Sequence, residues 1–331
     1  MKKIGKLASI AMILALGAVS VASCSKDDIT ITVGNEPGGN GSGDGTGNNC
    51  GNDTTKVRAK LFFDANLYDL LTKAAALSPL ADGRYVTVYA YDGSAMTTSV
   101  MYKSDTPGTL TPTGSTPLEL ATGTYNLYAP GVNSPASTAV PVFSGTTYTG
   151  LQNNIDYIWW GKTGLVVEGS SQNLTMNLEH CCAQVVIQLI DSAAAVTGTP
   201  VSSITPSLIS NNVWTLPTGV ISNSTSVSTE FMSMPTTASG TNGITSYYSQ
   251  LTMMPLLSTQ NMTVKFTATV SGSSRNYEVS LPVYKGNLQA GYSYKYQLVL
   301  KNNEITFNNT VNVINWIAVD ATSAPIIPSQ L

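Results

Sequence analysis

The chain has 331 residues, of which only 11% are charged, and its formal net charge is -3 with a single histidine. So weak a field gives nucleic acid or an anionic lipid surface nothing to bind, and a nucleic-acid partner is excluded on charge. The length suffices for two ordinary domains once a leader is removed.

Lys2, Lys3 and Lys6 precede an apolar run from Leu7 to Val21 that is too short to span a bilayer as a helix, so it reads as an export signal. The run closes on Val21-Ala22-Ser23-Cys24, small residues followed by a cysteine, which resembles the cleavage box of bacterial lipoprotein precursors. That resemblance implies a signal peptide over residues 1–23 and a mature chain beginning at Cys24, which carries lipid such as palmitate. The alternative is an ordinary secretory signal with an incidental cysteine. Ser25-Lys26-Asp27-Asp28 is similar to the lysine-plus-acid tag that sends lipoproteins of Bacteroides-type bacteria to the outside of the outer membrane, or else is a solvated charge cluster.

Residues 24–55 read as a flexible tether, because the stretch from Gly34 to Asn52 is too rich in Gly and Asn to bury apolar surface. Ile29 to Val33 is its one strand-like piece. Cys50 lies in this tether with no neighbouring signal that assigns it an intermolecular partner.

From residue 56 onward short runs of β-formers recur between turn signals. They include Lys56 to Phe63, Tyr85 to Tyr91 ending at Asp92-Gly93, Thr124 to Tyr128, Leu174 to Leu178, Ala183 to Leu189, Met262 to Ala268, Tyr294 to Leu300 and Val311 to Val319. One stretch, Ala65 to Ala76, has the composition of a short helix. Many short strands at near-regular spacing predict β-sandwiches. The turn Glu168-Gly169-Ser170-Ser171 is the best break, giving sandwiches over 56–170 and 171–331, both of ordinary domain size.

Catalytic signals are missing. His180 is the lone imidazole, and its neighbour Cys181 reads as lying on the same strand with its side chain turned away, so a Cys-His pair fails on geometry. His180 is expected to be a strand-end residue satisfied by backbone. Cys181 and Cys182 read as strand neighbours on opposite faces, too strained to bond to each other, and are expected to be small buried hydrophobes. No Cys/His spacing suits a metal, no acidic loop suits calcium and no glycine-rich loop suits a phosphate. No enzyme, metal site or cofactor is expected. Trp159-Trp160 reads as packing rather than a sugar platform, since adjacent strand residues face opposite ways.

Several stretches, in this order, resemble the fimbrillins, the subunits of type V pili in Bacteroides-type bacteria. They are Tyr85 to Gly93, Gly123 to Asn133, Asp156 to Gly161, Leu178 to Ile187, Ala290 to Tyr294 and a late Trp316. The resemblance spans most of the mature chain. It implies an all-β fold of two tandem transthyretin-like β-sandwich domains, surface delivery by the lipid anchor, a cut by a trypsin-like protease after a basic residue, and loss of the first strand. Another subunit's extended segment then fills the groove by strand addition. If Lys56 to Phe63 is the lost strand, the cut follows Arg84 or Lys73; if Ile29 to Val33 is, it follows Arg58; an anchor subunit keeps its lipid uncut. After Val319 only a short tail holds Ile326 and Ile327 for strand donation, which favours a tip, anchor or minor subunit. The expected role is a pilus subunit at the outer membrane surface, serving adhesion to a host or bacterial receptor or glycan. The rival is a surface glycan-binding lipoprotein of a nutrient-uptake system.

Overall fold

Strand β1 (Arg58–Asp69) buries Ala59, Leu61, Phe63, Ala65 and Leu67 and leaves Arg58, Lys60, Phe62 and Asp64 exposed, the period of two that a half-buried strand requires. The computed structural model of the protein describes residues 58–315 except 70–75, 136–139, 193, 195, 197–200, 202, 242–243 and 302–303. Ala65 to Asp69 thus continue a strand where the composition suggested a helix. Ala65 pairs with Met176 and Leu67 with Leu178, and that pairing overrides local preference.

The strands that follow are β2 (Ala76–Pro79), β3 (Tyr85–Asp92), β4 (Ala95–Thr106), β5 (Thr109–Pro112), β6 (Leu118–Ala121), β7 (Gly123–Val132), β8 (Thr147–Tyr148), β9 (Tyr157–Val167) and β10 (Ser171–His180). All but β8 form one sheet. Its pairings run β10-β9-β7-β3-β4-β5-β1, and β1 also pairs with β10, so seven strands close a ring. The seam between β9 and β10 is narrow, only Trp159 with Glu179 and Ile158 with His180. Leu61, Phe63, Val86, Val88, Leu118, Leu120, Leu127, Ile158, Met176 and Leu178 fill the interior. The Tyr102 hydroxyl lies inside this core, donating to Leu61 O and accepting from Leu118 N at 2.7 Å, and burial pushes its pKa up to about 12.

The remaining strands are β11 (Ala183–Asp191), β12 (Ser203–Ile209), β13 (Trp214–Thr215), β14 (Val227–Phe231), β15 (Met234–Pro235), β16 (Thr237–Thr241), β17 (Ile244–Met253), β18 (Leu256–Leu257), β19 (Met262–Val270), β20 (Ser273–Leu281), β21 (Asn287–Leu288), β22 (Tyr292–Lys301) and β23 (Glu304–Asn315). They make a sheet ordered β16-β17-β11-β22-β23 and a second ordered β14-β12-β19-β20, with β15 added to β12. Val185, Ile187, Tyr294, Tyr296 and Leu298 from the first share a core with Ile204, Val264, Phe266 and Ala268 from the second. The described residues are all-β, as composition and periodicity imply, with a 3-10 turn at Tyr284–Gly286 among them.

The turn at Gly169 is not where the chain changes sheet. It joins β9 to β10 inside the ring, and the passage comes at Cys181-Cys182, between β10 and β11. Nor is the second core separate from the ring's outer surface: Tyr89, Tyr91, Tyr128, Val132 and Tyr157 belong to it, with Phe143 and Trp214 packed edge-on at 5.6 Å. Strand β3 is therefore buried on both faces, Val86 and Val88 inward and Tyr89 and Tyr91 outward, as a near-continuous apolar run demands.

Candidate processing and assembly site

Arg84 ends the turn that leads into β3. Gly83 there has φ +75, a conformation that glycine adopts without strain, and its N–H donates to Ser104 O at 2.7 Å while Ser104 N–H donates to Arg84 O at 2.9 Å. The guanidinium is held as well. Its Nε donates to Asn133 Oδ1 at 3.1 Å, Asn133 Nδ2 donates to Asp156 Oδ2 at 2.9 Å, and Asp156 Oδ1 lies 2.9 Å from His180 Nδ1. A chain of polar contacts thus runs from a basic residue at the surface to the last residue of β10, where the His180 side chain is 1% exposed. His180 ends a strand as expected, and the Asp156 carboxylate faces its Nδ1.

This arrangement does not activate a thiol. Cys181 and Cys182 occupy the link between strands rather than a strand, both lie in the second core, and their thiols donate to Glu179 O and Ile155 O. Burial pushes both thiols well above the ordinary cysteine range, the reverse of what a nucleophilic thiolate needs. No group of three potential metal ligands exists among the described residues.

Strand β1 has neighbours on both edges. Residues Lys60 to Leu67 run parallel to Ser171 to Leu178 of β10, while β6, β5 and β2 pair antiparallel on the other edge. Its three large buried side chains contribute roughly 5–9 kcal/mol by transfer free energy, an upper bound comparable to the whole stability of a typical domain. Taking β1 away exposes an apolar trough and two unpaired edges at once. Arg58 is exposed at the head of β1, opposite Ala121, so a cut after it leaves β1 nearly whole. A cut after Arg84 severs β1 and β2 together from the rest of the chain. Cys24, Cys50, Lys73, Ile326, Ile327 and the strand-like Ile29 to Val33 lie outside the described residues.

Trp159 and Trp160 face opposite ways into different cores. Trp159 Nε1 donates to Leu216 O at 2.8 Å and the ring packs on the second core; Trp160 packs on the ring interior. Asn133 and Asp156, which carry the polar chain, escaped sequence reading because they are 23 residues apart and form no motif.

A fimbrillin-like family profile matches residues 72–316. Among solved structures, a putative cell adhesion protein from Bacteroides ovatus superposes with a TM-score of 0.57 at 16% identity, covering 79% of this chain and 99% of the other. One from Bacteroides fragilis gives 0.55 at 16%, covering 80% and 100%, and one from Bacteroides uniformis 0.54 at 15%, covering 78% and 99%. At such identities the likeness speaks for the fold. No curated protein sequence matches the chain.

Proposed function

The chain belongs to the fimbrillin-like family, and on that premise we propose that it is a structural fimbrial subunit assembled at the cell surface by strand exchange and serving adhesion. The observation that carries this reading is the setting of β1: a first described strand, paired on both edges, whose removal leaves a trough that only another strand of alternating apolar residues would refill. In the same reading the ring and the paired sheets after it correspond to two tandem transthyretin-like domains, Cys24 holds the lipid in the outer membrane, and the segment with Ile326 and Ile327 is donated to a neighbour. The cut falls after Arg84, with Lys73 and Arg58 as alternatives. The role of surface glycan-binding lipoprotein is the weaker reading, because Trp159 and Trp160 are both committed to packing.

The test is to treat the purified full chain with a trypsin-like protease and follow mass and oligomer size together. A single cut after Arg84 or Lys73 followed by ladder-like polymers is the expected result. A body that loses its N-terminal residues yet stays monomeric with β1 in place would sink strand exchange as its mode of assembly.

A further inference from the structure

The outer side of the ring carries an open cavity of about 450 Å³, inside the range of roughly 300–1,000 Å³ that small-ligand sites occupy. Strand β4 supplies its centre: Tyr102 and Ser104 point inward and are buried, so alternation turns Met101, Lys103 and Asp105 out. Lys103 stands between Tyr85 of β3 and Thr111 of β5, its partners across the sheet. Tyr85, Met101 and Pro112 give the cavity an apolar side, and Lys103, Asp105 and Thr111 a polar one; each of the six is at least partly exposed.

The apolar side is preformed, because Tyr85 and Met101 also pack against the second core. The polar side is set as well. Lys103 Nζ lies 3.1 Å from Asp105 Oδ1, and the Thr111 hydroxyl donates to Asp105 Oδ2. The Thr111 bond and then Lys103 hold the Asp105 carboxyl below its ordinary value, and Asp105 holds the Lys103 ammonium above its own, so both stay charged at neutral pH. An ammonium and a carboxylate have more donors and acceptor positions than these contacts use.

A charged ligand would be attracted by one member of this pair and repelled by the other, which favours a neutral one. A vicinal diol satisfies both: one hydroxyl donates to Asp105 while its neighbour accepts from Lys103. The apolar side points the same way, since a pyranose ring presents a C–H face to an aromatic side chain and hydroxyls around its rim. An incoming polypeptide strand is recognised by the free backbone of a sheet edge, whereas β4 is paired at Lys103 with β3 on one side and β5 on the other.

We infer that this cavity binds a neutral sugar ring, with a vicinal diol across Lys103 and Asp105 and the C–H face against Tyr85. The inference rests on the adhesion proposed above, to which it gives a ligand class, but it uses neither β1 nor the cut after Arg84. Sugar binding without assembly, or assembly without sugar binding, therefore tells the two readings apart. The test is calorimetric titration of the uncut full chain with galactose, glucose and mannose. At least one should bind, and neither acetate nor methylammonium at the same concentration should displace it. Asp105→Asn and Lys103→Met should each weaken it roughly tenfold or more, the scale of losing a hydrogen bond to a charged group. An exposed ion pair adds little to stability, so both variants should melt within about 3 °C of the parent protein, separating lost binding from lost folding. Glu278→Gln, which breaks the exposed pair with Lys265, should bind as the parent does. No binding of any of the three hexoses, or undiminished binding by both cavity variants, would overturn the site. Displacement by acetate or methylammonium would overturn its assignment to a neutral sugar.

Discussion

Arg84 is bound to Asn133: Nε donates to Oδ1 at 3.1 Å, so the side chain that a trypsin-like protease must draw into its pocket is already engaged. The backbone is engaged too, through Ser104. Asn133→Ala should raise the rate of cleavage after Arg84 roughly tenfold, the scale of losing one hydrogen bond to a charged group. Timed digestion with mass analysis of the products checks this, and an unchanged rate would mean that Asn133 does not guard the bond.

The trough under β1 makes a graded stability series. Leu61→Ala and Phe63→Ala should each cost about 2–5 kcal/mol in urea unfolding, because their side chains are fully buried. Phe62→Ala, on the same strand but exposed, should change stability by no more than about 0.5 kcal/mol. Equal losses at all three positions would contradict the assigned faces.

Gly219 lies against Trp159. A Cβ added there would stand 2.2 Å from Trp159 Cδ2, at a backbone φ of +70. Gly219→Ala should therefore lose about 2–4 kcal/mol, combining overpacking and backbone strain, with a matching fall in melting temperature.

Tyr102 and Tyr157 are both pushed by burial from 10.0 up to about 12. Each folded pKa is raised, so the folded state holds these protons more tightly than the unfolded chain does. Their contribution is complete below pH 10 and is lost as pH rises towards 12, at about 3 kcal/mol per group for a shift of two units. Denaturant unfolding at stepped pH should show stability falling across that window, and Tyr102→Phe should flatten the fall.

Cys181 and Cys182 are free and buried, with thiols held protonated. Alkylation of both should be negligible in the native protein and should follow the unfolding transition in denaturant. Rapid native modification at either position would refute the placement of the link between β10 and β11.

Periodicity made much of this fold legible. The run from Tyr85 to Tyr91 announced β3, and the run of β-formers from Lys56 to Phe63 announced β1, though not which residues face the core. Sequence could not show the ring closing, because β1 and β10 pair across more than a hundred residues and neither strand carries a mark of the other. The Ala- and Leu-containing stretch after Phe63 misled for the same reason, its conformation being set by a distant partner. At the candidate site, basic residues were visible as types, but the hold on Arg84 depends on Asn133 and Asp156, which only the folded chain assembles.

Two parallel pairings stand out in a largely antiparallel fold, β1 with β10 and β11 with β22, each over eight residue pairs. A chain pulled along such strands loads every rung of the ladder together in shear, whereas a hairpin pulled from its open end gives way one rung at a time. The two-pair seam between β9 and β10 is the opposite case, a short zipper. Under tension the ring should therefore part at that seam while both parallel ladders hold, which sets an order of mechanical failure within a single subunit.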